Sequence, residues 1–180
     1  SYPLLLKMSK HTQISEALLS TGAVKFGDFT LTSGRKSDFY VDVKKASSNP
    51  HILSQIASSF SIESPQNIDT LAGLELGAIP LLVATSLEMK LPFAMIRKES
   101  RKHGTISRIE GSLGNKILVI EDVATTGGSI EDAVSVLRGE GTDVDTALVV
   151  VDREEGAKER LSKIGISLIS LVTISELRGN

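Results

Sequence analysis

The residues best equipped for chemistry fall in one stretch, positions 117–129, which reads Ile-Leu-Val-Ile-Glu-Asp-Val-Ala-Thr-Thr-Gly-Gly-Ser. An apolar run ends in two adjacent carboxylates, Glu121 and Asp122, and a small, hydroxyl-rich turn follows before the helical pattern Ile130, Val134, Leu137. Acids capping a buried strand are costly unless they are employed. Successive backbone N–H groups of residues 125–129 can surround a phosphate, helped by the dipole of the helix that starts there. Gly127 and Gly128 allow close backbone approach, and Thr125, Thr126 and Ser129 add hydroxyl donors. Acids that grip sugar hydroxyls beside a phosphate cradle suit a phosphorylated ribose. The bland alternative is an ordinary strand–turn–helix connection, which explains the glycines and threonines but not the paired acids. The two commonest phosphate loops, Gly-x-x-x-x-Gly-Lys-Ser/Thr and a helix-opening Gly-x-Gly-x-x-Gly, are both missing from the sequence.

A second candidate is Arg97-Lys98-Glu99-Ser100-Arg101-Lys102-His103-Gly104, where four permanent cations and a histidine fall within seven residues of a chain whose net charge is −2. Such a stretch, with Gly104 and polar residues after it, suits a mobile loop that closes on a polyanion such as pyrophosphate. Charge runs are more often solvated loops; a shared edge with the phosphate cradle would favour function. A third is Val151-Asp152-Arg153-Glu154-Glu155-Gly156, where Arg153 can pair with a carboxylate or carbonyl of a planar substrate. A helix-start turn explains Glu154 and Glu155 better than it explains Arg153. Phe39 and Tyr40 either stack on an aromatic base or pack as half-buried strand residues. His11 and His51 stand beside helix starts and read as structural or exposed. No cluster has metal-ligand spacing, so any metal, most readily Mg²⁺, should arrive with the phosphates.

These residues need a scaffold. Residues 9–23 place Ile14, Leu18 and Leu19 at helical spacing and stop near Gly22. Residues 26–31 and 38–44 read as short strands joined by the polar turn 32–37, a hairpin or hood apart from the main sheet. Asn49-Pro50 combines an N-cap with a first-position proline and opens a helix to about residue 61. The pattern then becomes βα: strands at 68–72, 93–96, 117–120, 146–151 and 166–174 alternate with helices at 79–90, 129–138 and 155–164, and a charged loop fills 97–110. This is an α/β pattern, a parallel sheet wound on both faces, whose ligands bind outside the carboxyl ends of the strands. Turns 73–77, 97–104, 121–129 and 152–156 are therefore expected at one edge.

Composition sets outer limits. A chain of 180 residues, 41% apolar and 23% charged, suits one globular domain. The charge balance gives no general reason for nucleic-acid or membrane partners, and the absence of cysteine excludes disulfides, thiolate metal sites and cysteine nucleophiles. Leu4-Leu5-Leu6 is too short for a signal core or a membrane span, so a soluble cytoplasmic protein is expected.

Taken together, these segments resemble the type I phosphoribosyltransferases, in particular their orotate branch. Residues 119–129, Val-Ile-Glu-Asp-Val-Ala-Thr-Thr-Gly-Gly-Ser, look like the family's phosphoribosyl-diphosphate motif. Residues 29–37 with Phe39-Tyr40, 97–104 and 152–156 look like the orotate branch's substrate segment, flexible catalytic loop and base-contacting turn. The diphosphate motif alone identifies only the superfamily; the other three make the orotate assignment specific. The resemblance implies the type I fold, with a mostly parallel central sheet flanked by helices, as one domain over residues 1–180 whose hood is mainly residues 1–45 plus the C-terminal end. It implies Mg²⁺-dependent transfer from phosphoribosyl diphosphate to orotate in pyrimidine synthesis. By matching position, Glu121 and Asp122 would hold the ribose hydroxyls, with Val123 beside them. Ala124, Thr125, Thr126, Gly127, Gly128 and Ser129 would bind the 5′-phosphate, and Thr125 and Arg153 would contact orotate. Lys98, Arg101 and His103 would close over pyrophosphate, and Arg97 would reach the neighbouring site of a homodimer. Arg97, Lys98, His103 and Asp122 form the implied catalytic set. Two departures stand out: Thr32 and Gly77 occupy positions where many bacterial members carry lysines that touch the diphosphate. Rival readings are a purine or uracil transferase sharing only the 121–129 motif, and a non-catalytic sensor of phosphoribosyl diphosphate, for which no DNA-binding output element is visible.

Overall fold

A computed structural model describes residues 11–99 and 107–179 of the chain. Helix α1 (Thr12–Ser20) precedes a two-stranded antiparallel hairpin, β1 (Val24–Thr30) and β2 (Lys36–Val41). The hairpin is separate from the main sheet, as the polar turn between its strands suggested. Its second strand ends at Val41 rather than at 44, because Lys44 opens a short helix, α2 (Lys44–Ser47), that the sequence reading missed. Helix α3 (Pro50–Glu63) starts where expected: the Asn49 side chain accepts hydrogen bonds from the backbone N–H groups of His51 (2.9 Å) and Ile52 (3.1 Å). Of the two histidines beside helix starts, His11 Nε2 lies 2.9 Å from Glu63 Oε1, joining α1 to α3, and His51 is exposed.

The main sheet contains β3 (Thr70–Leu74), β4 (Phe93–Ile96), β5 (Ile109–Gly111), β6 (Lys116–Ala124), β7 (Asp143–Asp152) and β8 (Ser167–Thr173) in the order β5-β4-β3-β6-β7-β8. All neighbours are parallel except the edge pair β4–β5. The helices α4 (Ala78–Met89), α5 (Gly128–Gly139) and α6 (Ala157–Ser162) alternate with the strands, and α7 (Ile174–Leu177) closes the described chain. Strand β5 begins at the end of the expected 97–110 loop and runs one residue past it. Its three residues, Ile-Glu-Gly, are too few to show an alternating pattern.

Strand alternation divides the core between the two faces. Leu118, Ile120, Leu148 and Leu171 pack with Ile56 and Phe60 of α3, Leu81 and Leu82 of α4, and Val24 and Phe39 of the hairpin. Ile117, Val119, Ala147 and Val149 pack with Ile130, Val134 and Leu137 of α5 and Leu161 of α6. Burial on both faces explains the near-continuous apolar runs that made these strands legible. At the opposite end of the sheet from the turns of interest, Asp69 accepts from the N–H groups of Asn115 and Lys116 (3.0–3.1 Å) and fixes the entry of β6 beside β3.

Losing the cap at Asn49 should cost the protein about 1 kcal/mol. Urea denaturation of Asn49→Ala should show this loss with an unchanged denaturant slope.

Candidate functional site

Strands β3, β4, β6 and β7 run the same way, so the turns after them emerge at one edge of the sheet. From β3 the chain steps outward to β4, then returns to pair β6 on the other side of β3. The crevice between the ends of β3 and β6 is thus a topological switch point, the usual ligand position in such sheets. The paired acids lie here. They are not beyond the strand, as residues 117–120 implied, but inside it, since β6 continues to Ala124. Alternation then gives them different surroundings: Glu121 is 8% exposed and Asp122 half-buried. Glu121 Oε1 accepts from the Asp122 N–H (3.0 Å), and Asp122 Oδ1 accepts from the Val123 N–H (2.9 Å). Across the crevice sits the turn after β3, where a Cβ on Gly77 would overlap Asp122 Oδ2. The missing side chain at position 77 is therefore what gives the Asp122 carboxylate its seat.

Burial pushes the Glu121 carboxyl up to about 9, and the hydrogen bond and charge of Asp122 push the same way. The Asp122 N–H and the positive charge of Lys98 act against this rise and are outweighed. Glu121 therefore keeps its proton at neutral pH and can donate as well as accept a hydrogen bond.

The turn after β6 forms the cradle. Thr125, Thr126 and Ser129 are exposed, while Gly127 is buried with φ of +90°. A Cβ on Gly127 would lie 3.2 Å from Ala157 Cα, so glycine is required both by conformation and by the close approach of α6. No side chain caps α5, which leaves N–H groups of its first turn available to an anion. Arg160 of α6, which the sequence reading passed over, pairs with Glu131 in that first turn, and its Nη1 lies 3.6 Å from where a Gly128 Cβ would be.

The described start of the basic segment continues from the β4–β5 pair. Ile96 pairs with Ile109, and the Arg97 N–H donates to the Arg108 carbonyl (2.7 Å). Arg108 returns a bond from Nε to the Arg97 carbonyl (2.8 Å) and grips Asp132 of α5 through both terminal nitrogens (3.0 and 2.7 Å). The Lys98 N–H donates to Glu75 Oε1 (2.7 Å), linking the loop stem to the turn after β3. Lys98 is exposed; Arg97 is half-buried and its Nε lies 3.2 Å from Glu110 Oε1. Arg101 and His103 lie outside the described residues.

The turn after β7 meets the cradle directly, since the Arg153 N–H donates to the Ala124 carbonyl (3.0 Å). The Arg153 guanidinium is buried and lies 4.4 Å from the centre of the Phe39 ring, with Arg178 at 5.6 Å from the same ring. Phe39 is therefore packed among side chains and is not an open stacking surface; Tyr40 is half-buried against Phe29 (5.8 Å). Glu154 and Glu155 do not serve a helix start. Glu154 Oε1 accepts from the Ser175 N–H (2.7 Å), and Glu155 lies between Arg35 and Arg153. A cavity of about 730 Å³ behind this turn is lined by Asp152, Glu154, Glu159 and Glu176, a charge unsuited to phosphate or to an anionic base.

The crevice thus gathers turns 73–77, 97–98, 121–129 and 152–156, a layout that fits a phosphoribosyltransferase. Comparison with known proteins agrees: the family described as Phosphoribosyl transferase domain matches residues 47–170. An orotate phosphoribosyltransferase of Thermoplasma volcanium is 53% identical over 167 residues, covering 92% of this chain and 99% of the relative. The crystal structure of orotate phosphoribosyltransferase from Aeropyrum pernix matches with a TM-score of 0.82 and 35% identity, over 92% of this chain and 96% of that one. The Mycobacterium tuberculosis enzyme in complex with 5-phospho-α-D-ribosyl 1-diphosphate matches at 0.74 and 28% identity, over 92% and 98%. The chain belongs to the orotate phosphoribosyltransferase family.

Because Glu121 binds its proton more tightly folded than unfolded, its contribution to stability is full below about 4.5 and falls as pH rises toward about 9. Glu121→Gln, which is neutral at every pH, should be more stable than the parent by more than about 1 kcal/mol at pH 8, and the gain should vanish near pH 4. Paired denaturation curves at the two pH values check this.

Proposed function

We propose that the protein transfers the phosphoribosyl group of 5-phosphoribosyl 1-diphosphate to orotate, with Mg²⁺, releasing orotidine 5′-monophosphate and pyrophosphate in de novo pyrimidine synthesis. The observation that carries this reading is the bond from the Arg153 N–H to the Ala124 carbonyl, which sets a base-binding arginine beside the phosphate and ribose turn. The names of the relatives support the choice of orotate, and the Mycobacterium tuberculosis complex supports the choice of donor.

In this reading Asp122 and protonated Glu121 hold the ribose 2′- and 3′-hydroxyls, with Val123 fixing their strand. Ala124 to Ser129 cradle the 5′-phosphate, and Thr125 and Arg153 contact orotate. Lys98, with Arg101 and His103, neutralises the departing pyrophosphate. Displacement at the anomeric carbon passes through an oxocarbenium-like transition state, and orotate is already an anionic nucleophile. Positioning and charge neutralisation carry the rate, and no strong general base is required.

The residues fit an Mg²⁺ ion brought by the diphosphate better than a resident one: among the described residues no three acids or histidines converge. Asp122 is the carboxylate that would stand beside such an ion, whose chemistry would be to neutralise the leaving group. Of the family lysines, Thr32 is exposed in the hairpin turn, and a side chain at 77 would displace Asp122. Neutralisation therefore falls to the basic loop.

We further read the working unit as a cytoplasmic homodimer in which Arg97 reaches the neighbour's site. Leu76 (70% exposed), Val83 (37%) and Leu87 (66%) form an apolar row along α4 and the turn before it, beside the Lys98 stem, and a second copy would cover it. No helix among the described residues is long and apolar enough to cross a membrane. Each chain is read as a single domain over residues 1–180, with a hood of mainly residues 1–45 plus the C-terminal end. The contacts of Arg178 with Asp38 (2.8 Å) and with the Phe26 ring (5.1 Å) support that hood.

Incubation with phosphoribosyl diphosphate, Mg²⁺ and each base, followed by the loss of orotate absorbance, tests the function. Turnover of a purine without turnover of orotate would overturn the assignment, and binding without any turnover would indicate a sensor. Within that assay, Lys98→Ala should lower kcat at least about tenfold with the fold intact; an unchanged kcat would remove Lys98 from the chemistry.

A further inference from the structure

One carboxylate oxygen holds two arginines from different parts of the molecule. Glu155 Oε1 lies 3.3 Å from both Nε and Nη2 of Arg153 and 3.2 Å from Nη2 of Arg35 in the hairpin turn. Exposure falls along this chain, from 65% for the Arg35 side chain to 23% for Glu155 and 8% for Arg153. The family resemblance gives no role to Glu155 or to Arg35.

A guanidinium presents a side edge (Nε and Nη2) and an end edge (Nη1 and Nη2) in a fixed plane. Glu155 occupies the side edge of Arg153 and the Phe39 ring covers one face at 4.4 Å. Arg153 Nη2 is buried yet makes no hydrogen bond of adequate geometry, since its contact with Glu155 is an ion pair only. A buried donor without an acceptor is expensive, and the acceptor it lacks is what an anionic, planar ligand would bring to the end edge.

We propose that Glu155 is a positioning residue for the anionic base: it clamps the side edge of Arg153 so that the end edge is presented to the base, and Arg35 acts through Glu155 by steadying it from the hood. This rests on the reading that Arg153 contacts orotate. The carboxylate is a brace and not a stand-in for substrate, because it takes the edge that a base does not need.

The test uses the full chain with Glu155→Gln, Arg35→Ala, the double variant and Arg153→Ala. Orotate and phosphoribosyl diphosphate are varied separately, orotidine 5′-monophosphate binding is measured by calorimetry, and melting curves monitor the fold. Glu155→Gln should raise the orotate KM about fivefold or more and weaken nucleotide binding in parallel, while kcat and the diphosphate KM move less than about twofold. Arg35→Ala should shift the same constant less, and the double variant should be no worse than Glu155→Gln alone. An orotate KM unchanged in Glu155→Gln but raised in Arg153→Ala would overturn the brace and leave the base contact standing. A lowered orotate KM in Glu155→Gln would make Glu155 a competitor, and equal effects on both KM values would make it merely structural; either result overturns the proposal. If Arg153→Ala leaves the orotate KM unchanged, the base contact itself fails. Should Glu155→Gln not fold, Arg35→Ala decides by whether it raises the orotate constant alone.

Discussion

The site depends on how two neighbouring carboxylates are accommodated at the end of a buried strand. Strand alternation turns Glu121 inward and leaves Asp122 at the crevice, so the two acids meet different environments although they are adjacent in sequence. Burial keeps Glu121 protonated, which removes one of the two negative charges from the crevice. In the proposed function a polyanionic substrate comes close to these acids, and like charges at short range in a poorly solvated cleft repel strongly. Neutralising one acid through burial would then keep two oxygens in place for the ribose hydroxyls while reducing that repulsion. Asp122 in turn sits against Gly77, where a Cβ would require its carboxylate to shift from its present position.

The second constraint is mechanical. In the proposed function the turn after β6 and the basic loop serve opposite ends of one substrate, and that turn and the described loop stem are both fixed to α5. The cradle opens the helix at Gly128, and Arg108 anchors the loop stem to Asp132 one turn later. The β4–β5 pairing extends to Arg97 and Arg108 and fixes the stem of the basic segment. Glu75 adds a third fixed point through the Lys98 N–H. Loop position, cradle position and the seat of Asp122 are thus set by one short path of hydrogen bonds across the crevice.

Much of this was legible in the sequence because the strands are buried on both faces. Residues 93–96 and 117–120 stand out as apolar runs and lie within β4 and β6, and the Asn49-Pro50 helix start was read from its cap alone. The placement of four turns at one edge followed from the βα rhythm. What escaped was decided by tertiary contact. Strand β5 is too short to carry a pattern and exists because β4 offers it an edge. The choice for Phe39 between stacking on a base and packing within the protein was settled by the arginines that cover it, which local sequence does not show. Gly77 stands where a lysine is found in many bacterial members, and a Cβ there would meet the Asp122 carboxylate as it now sits. Glu155 was assigned to a helix start by a rule of local sequence, whereas its partner Arg35 is 120 residues away in the chain.

That long-range pairing bears on why the hood is joined to the sheet through arginines. The Phe39 ring has Arg153 from the sheet at 4.4 Å and Arg178 from the C-terminal end at 5.6 Å, and Arg178 also pairs with Asp38. Guanidinium groups are weakly hydrated and planar, so they can stack on an aromatic ring at a partly buried boundary where an ammonium group would lose too much solvation. An apolar seam alone would hold the hairpin against α3 and the sheet without fixing its orientation. Stacked and ion-paired arginines have a directional geometry, and Arg153 is the one that the proposed function assigns to the base. The position of the hood and the direction of Arg153 are therefore one structural variable, and in that proposal the base is read where the two parts of the molecule meet.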